Sequence, residues 1–202
     1  MYMKTLCLGG SFNPIHHGHL ICAGAVAEAA GFEKVLLIPA GQPPHKPQQA
    51  DLADSSDRLN MCRLAIQGRS GGGSVVFDVC DIEIYRPGPS YAIDTVRELK
   101  NSGWQQVHWL IGADMLNYLP NWHQAAALLS EANFVIMARP QVLIDWNALP
   151  GEFATLKKNV VEAPLVQISS RDIRRRVRDG RSIDYLTPPA VIEYIGARGL
   201  YR

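Results

Sequence analysis

The stretch CLGGSFNPIHHGHL, Cys7 to Leu20, places two glycines, a proline and three histidines between an apolar run and a small-residue segment. Upstream, KTLCLGG reads as a strand; downstream, HLICAGAVAEAAG reads as a helix stopped by Gly31. Gly9 and Gly10 permit a tight turn and let backbone N–H groups come close to a ligand. The helix, expected to start near Gly18, aims its unsatisfied N–H groups back into that turn, which favours an anion. His16 and His19 are three apart across the helix start, so both imidazoles can lie on one side and grip phosphate oxygens. Two other readings stay open. One is a tight turn with surface histidines. The other is a pair of zinc ligands, for which no third ligand stands nearby in sequence. The stretch is neither GxGxxG nor a Walker P-loop, since no GK[ST] follows.

Working outward, short apolar runs alternate with helical segments. EKVLLIPAG is a strand suited to burial on both faces, and a Pro-rich loop leads to a helix from about Asp57 to Gln67. VVFDVCDIEI reads as a strand, SYAIDTVRELKNSG as a helix, QVHWLIGAD and NFVIMARP as strands. This order predicts an α/β fold, a Rossmann-like doubly wound parallel sheet, with a small C-terminal helical part over about 169–202. A single domain spanning 1–202 is expected. In such sheets ligands gather at the carboxyl ends of strands, which selects the loops at 9–19, 39–46, 112–122 and 138–140.

Of the 202 residues 47% are hydrophobic and 19% charged, with a net charge of +1, so no global field points to nucleic acid or a membrane surface. No stretch has the length or apolarity of a signal peptide or membrane span, and Cys7, Cys22, Cys62 and Cys80 form no CxxC pair. Scattered reduced thiols, acting as small buried hydrophobes, fit a cytoplasmic protein.

A second polar constellation, ISSRDIRRRVRDGR, starts at Ile168. Ser169 or Ser170 can cap a helix, and Asp172 stands where a capping-box acid would. Arg171, Arg174 and Arg178 align on one face. Most of these arginines suit a solvated basic face, and interleaved aromatics for nucleic acid are missing; an arginine beside the capped turn meeting a polyphosphate is the sharper reading.

With GGSFNPIHxGH near the start and ISSxxIR near the end, the chain resembles the HxGH nucleotidyltransferases, which are Rossmann-like and transfer a nucleotidyl group from a nucleoside triphosphate to a phosphate acceptor. PPHK at 43–46, DRLNM at 57–61, SYAIDT at 90–95, IGADMLNYLPNW at 111–122 and YIGARGLY at the end narrow the resemblance to the bacterial nicotinate-nucleotide adenylyltransferase family, over essentially the whole chain. That resemblance implies adenylyl transfer from ATP to nicotinate mononucleotide, with Mg²⁺ carried in on ATP rather than held in a dedicated protein site. It implies that Gly9, Gly10, Ser11 and Phe12 line the ATP site, that His16 and His19 hold the triphosphate, and that Ile168, Ser169, Ser170 and Arg174 close on it from the other side. Of these His16, His19 and Arg174 carry the catalysis. His45 and Lys46 meet phosphate near the acceptor, and Tyr91, Ala92 and Trp122 hold the pyridine ring. Gly112 and Asp114 contact the nucleotide sugar, and Arg139 is a further polar contact. Asp114 can also cap the MLNYL helix, Trp122 can anchor a loop, and His17, His108 and His123 read as structural or surface.

Three positions depart from the family pattern. Ala92 stands where Thr is usual, Asn13 where many relatives have Asp, and ARP at 138–140 lacks the glycine that often follows. The first bears on discrimination between nicotinate and nicotinamide mononucleotide. Neither Ser/His/Asp nor Cys/His nucleophilic machinery is evident, so catalysis is expected to be positioning and charge stabilisation. Another HxGH adenylyltransferase, with nicotinamide mononucleotide or phosphopantetheine as acceptor, and a non-catalytic nucleotide sensor are the rival readings.

Overall fold

A computed structural model describes residues 3–44, 50–67, 75–138 and 144–202. Apolar runs supply the strands β1 (Thr5–Gly10), β2 (Lys34–Pro39), β3 (Val76–Val79), β4 (His108–Gly112), β5 (Asn133–Ala138) and β6 (Val160–Glu162). The helices are α1 (His17–Ala29), α2 (Ser55–Ile66), α3 (Ala92–Asn101), α4 (Ala113–Leu116), α5 (Ala125–Glu131), α6 (Ser170–Arg178) and α7 (Pro189–Arg198). All pairings are parallel, in the order β3-β2-β1-β4-β5-β6. The chain runs outward from β1 to β3, then returns to the other side of β1 and runs outward again, which leaves a crevice beyond the carboxyl ends of β1 and β4.

Because side chains alternate along a strand, each strand feeds two cores. Leu6, Val35, Leu37 and Leu110 face one apolar cluster, which α1, α2, α6 and α7 cover. Cys7, Leu36, Ile38, Trp109 and Ile111 face the other, which α3 and α5 cover. The thiols of Cys7 and Cys62 are fully buried, and burial pushes Cys7 up to about 12, as the reading of small hydrophobes expects. Among the described residues no helix is long and apolar enough to cross a membrane.

The strand expected over VVFDVCDIEI stops at Val79. Cys80 N–H still bonds Leu37 O, but β2 then ends two residues later and the chain turns, with Ile84 N–H on Asp81 O. The expectation of a helix stopped by Gly31 is met: Ala29 is the last helical residue and Gly31 takes φ +67°.

His108, at the start of β4, sets its ring edge-to-face against Phe32, 5.0 Å between centroids. Burial, then the Lys4 ammonium, hold its pKa below the usual value. A base held low takes up its proton more readily unfolded than folded. Its stabilisation is therefore complete above about pH 6.5 and declines as pH falls from there through the folded value. Urea unfolding at pH 7.5 and 5.5 is expected to show a smaller loss of stability on acidification in His108→Gln than in the parent. Equal losses would remove His108 from the pH response.

Candidate active site

The turn after β1 brings the first constellation together. His16 occupies the N-cap of α1, and its backbone N–H donates to Nδ1 of His19 at 3.2 Å. With Nδ1 accepting, the neutral His19 ring carries its hydrogen on Nε2, where it can donate outward. The two imidazoles stack at 3.7 Å between centroids, and Phe12 meets the His19 ring edge-on at 5.2 Å. Phe12 itself takes φ +45°, a left-handed conformation that costs a non-glycine residue about 1–3 kcal/mol.

The second constellation arrives at the same turn from the far end of the chain. Ser169 Oγ caps α6 by accepting from Asp172 N–H at 3.1 Å, while the Asp172 carboxylate pairs with Arg175, so the capping box is one-sided. Ser170 Oγ donates to Pro14 O at 2.8 Å. Arg174, only 7% exposed, donates from Nη1 to Asn13 O at 2.8 Å and from Nε to Asp51 Oδ2 at 2.7 Å. The carbonyl of Ile168 lies near Gly18, where a Cβ would come within 3.5 Å of it. The Ser170 hydroxyl and Arg174 thus lock the two halves together while Ser169 caps α6, and Arg171, Arg175 and Arg178 form an exposed face, as the sequence suggested for most of the arginines.

Asn13 accounts for its own departure from the family pattern. Its amide donates to Asp51 O at 2.9 Å, and its Oδ1 accepts from Ala53 N–H at 3.0 Å and from the Tyr201 hydroxyl at 2.8 Å. A carboxylate could accept both bonds but could not donate the first.

Gly9, Gly10 and Ser11 form one wall of a cavity of about 540 Å³ at the β1/β4 crevice. A Cβ at Gly9 would sit 2.7 Å from the buried Trp109 ring, so only glycine lets the strand end lie on that indole. The lining also holds Tyr91, Ala92, Gly112 and Trp122. Tyr91 is the N-cap of α3 and Ala92 its first residue, so the helix opens onto the cavity with its N–H donors leading. Trp122 lines the cavity while packing against the apolar cluster behind it, so the anchoring and ligand-facing roles coexist.

The structure therefore gathers the predicted residues in two adjoining groups. Gly9, Gly10, Ser11, Tyr91, Ala92, Gly112 and Trp122 line the cavity. Phe12, His16, His19, Ile168, Ser169, Ser170 and Arg174 surround the turn that Ser11 leads into. Asp114 is not the helix cap: Gly112 is the N-cap of α4, and Asp114 lies exposed in its first turn with its carboxylate folded back on Gly112. His45, Lys46 and Arg139 lie outside the described residues.

Three residues of the site escaped the sequence reading. His123 is exposed, as a surface histidine, yet it also lines the cavity and stacks on Tyr91 at 4.2 Å. Glu83 is a buried carboxyl on the cavity wall; burial raises its pKa, opposed by the bond it accepts from the Thr95 hydroxyl at 2.5 Å. Arg58 is the third. It is 1% exposed, and burial lowers its pKa from the ordinary guanidinium value. The DRLNM motif at 57–61 was the available signal, but nothing in it says that the arginine points inward.

A family model described as cytidylyltransferase-like matches residues 7–176. The chain is 43% identical over 197 residues to a probable nicotinate-nucleotide adenylyltransferase of Roseiflexus sp. (strain RS-1), covering 96% of each chain. It is 41% identical to one of Synechococcus sp. (strain JA-3-3Ab), covering 96% of this chain and 92% of that one. Its fold matches that of Plasmodium falciparum nicotinic acid mononucleotide adenylyltransferase complexed with NaAD, with a TM-score of 0.73 at 20% identity over 98% of this chain and 97% of that one. The strand order, the turn shared by the two end motifs and identity sustained over nearly the whole length agree: the chain belongs to the nicotinate-nucleotide adenylyltransferase family.

Proposed function

We propose that the chain transfers the adenylyl group of ATP to nicotinate mononucleotide at the β1/β4 crevice, giving nicotinate adenine dinucleotide and pyrophosphate. The observation that carries this reading is the meeting of the HxGH turn and α6, through Ser170 with Pro14 and Arg174 with Asn13, beside a cavity with an aromatic wall.

In this reading the triphosphate lies at the turn. His19 Nε2–H, the Arg174 guanidinium and the backbone N–H groups of the turn and of the α6 start donate to its oxygens. Their bonds strengthen as charge builds on the α-phosphate and on the departing pyrophosphate. His16 holds His19 in its donor tautomer and packs against its ring. The acceptor phosphate is already anionic and nucleophilic, so the protein's task is to set it in line with the α-phosphorus. The groups at the turn are donors to phosphate, and Asp51 is engaged by Arg174 and Arg178. Mg²⁺ carried in on the triphosphate would supply charge neutralisation there, with the turn's N–H groups and Arg174 still acting as donors.

The pyridine ring stacks on Trp122, beside the Tyr91–His123 pair. Its carboxylate meets the first N–H groups of α3, a recognition that needs no hydroxyl at Ala92. Pyrophosphate release from ATP is expected with nicotinate mononucleotide and to be much weaker with nicotinamide mononucleotide or phosphopantetheine. Preference for either alternative would replace the acceptor; release with none would leave a nucleotide-binding protein. Trp122→Ala is expected to raise KM for the acceptor roughly 5- to 100-fold, the worth of one stacked ring, with KM for ATP nearly unchanged.

A further inference from the structure

Arg58 buries a full positive charge yet makes no ion pair among the described residues. Its three nitrogens go instead to three backbone carbonyls: Nε to Ala53 at 2.9 Å, Nη1 to Ser11 at 2.8 Å and Nη2 to Gly41 at 2.9 Å. These carbonyls belong to two connections: Ser11 follows β1, while Gly41 and Ala53 stand near the two ends of the segment between β2 and α2, so the loops after two adjacent strands, which wall the cavity or lead into it, share one side chain.

Two of these bonds, to Ser11 and Gly41, have a consequence at the site. Carbonyl and N–H are opposed across a planar peptide, so fixing Ser11 O fixes where Phe12 N–H points. Phe12 is the left-handed residue whose ring abuts His19, and such a conformation persists only where neighbours hold it. On the other side, Gly41 packs so closely on the Glu83 carbonyl that a Cβ would lie 2.3 Å from it. The next residue, Gln42, exchanges bonds with Ser90: its N–H donates to Ser90 Oγ at 3.2 Å, and its carbonyl accepts from Ser90 N–H at 2.8 Å. Ser90 immediately precedes Tyr91 and Ala92 at the start of α3. One planar guanidinium therefore spans from the histidine turn to the acceptor wall.

We propose that Arg58 is a positioning residue for adenylyl transfer, setting the orientation of the Ser11–Phe12 peptide and the distance between the ATP turn and the acceptor wall. The proposal rests on the reading of the crevice given above. It assigns Arg58 no contact with either substrate. Removing it disturbs alignment rather than affinity, and a misplacement of about 1 Å can cost about 10²-fold in rate.

The experiment compares the parent with Arg58→Lys and Arg58→Met, assayed well below their melting temperatures. Lysine keeps the charge and most of the stem but lacks the planar fork that meets three carbonyls. Both variants are expected to lose 10- to 100-fold in kcat while KM for ATP and for nicotinate mononucleotide change less than about threefold. Full activity in Arg58→Lys, or a loss confined to KM, would overturn the proposal. So would a kcat loss that disappears when variants are compared at equal distance below their melting temperatures. If Arg58→Met does not fold, Arg58→Lys carries the test. The parent's own turnover separates the two readings: if it prefers another acceptor, the acceptor reading fails and the Arg58 comparison is made with that acceptor. If it turns over none, the ¹⁵N shift of His19 Nδ1 reports the same displacement. It is expected to move on Arg58→Lys, and an unmoved resonance would overturn the proposal.

Discussion

His19→Ala is expected to lower kcat by about 10²–10³-fold while shifting the melting temperature by only a few degrees. The rate effect follows from the Nε2–H that the His16 amide enforces by bonding Nδ1. One lost donor to developing phosphate charge removes about 2.7–4 kcal/mol of transition-state stabilisation. The stability effect is smaller because His19 is half-buried and its structural bond is a helix-capping one, worth about 1 kcal/mol. For a chain of this size that is about 2–4 °C. The series can be graded. Gln places an N–H donor near the Nε2 position, whereas Asn reaches only the Nδ1 position, so His19→Gln is expected to retain more activity than His19→Asn. His17→Ala is the control for a neighbouring imidazole, with near-parent turnover expected. Equal activity in the Gln and Asn variants, or a His17 effect as large as that of His19, would contradict the Nε2 assignment.

The turn that carries this prediction was legible because its composition departs from that of the elements on either side. Adjacent glycines and spaced histidines at a strand end break the apolar pattern that a buried strand and an amphipathic helix require, so they stand out from the surrounding sequence. The sheet was legible for the opposite reason: β1, β2, β4 and β5 are near-continuous apolar runs that a strand buried on both faces requires. Edge strands gave less. β6 has three residues, and β3 stops at Val79 because pairing, rather than hydrophobicity, ends it. Arg58 shows a deeper limit. Helical spacing puts it on the face of the buried Met61, Cys62 and Ala65, three, four and seven positions on, but an arginine at such a position ordinarily carries its charged head out to water. What buries it is the arrival of carbonyls from residues 11, 41 and 53, a coincidence that only the folded chain creates. Asp51 escaped for the same reason, since its importance lies in an arginine 123 positions away.

That last pair yields the second large effect. Arg174→Ala is expected to lower kcat/KM for ATP by about 10²-fold or more, and Arg174→Lys by roughly tenfold. Arg174 has two duties that the variants confound. It ties α6 to the turn through Asn13 O and Asp51, and in the proposed reading its remaining edge is offered to the triphosphate. Among the described residues neither of those bonds uses Nη2. Removing the side chain strands Asp51, but that carboxylate is 30% exposed and keeps Arg178 at 3.4 Å. The stability cost should therefore fall near about 1–3 kcal/mol, below the 3–5 kcal/mol of breaking a fully buried pair. Asp51→Asn separates the duties. In the double variant Arg174→Ala with Asp51→Asn the carboxylate that has lost its shorter ion pair is gone, so chemical unfolding should show much of the lost stability restored. Activity should not return, because no cation faces the phosphates from α6. Recovery of stability together with activity would reduce Arg174 to a partner of Asp51. Recovery of stability alone makes it the half of the phosphate clamp that the far end of the chain delivers to the histidine turn.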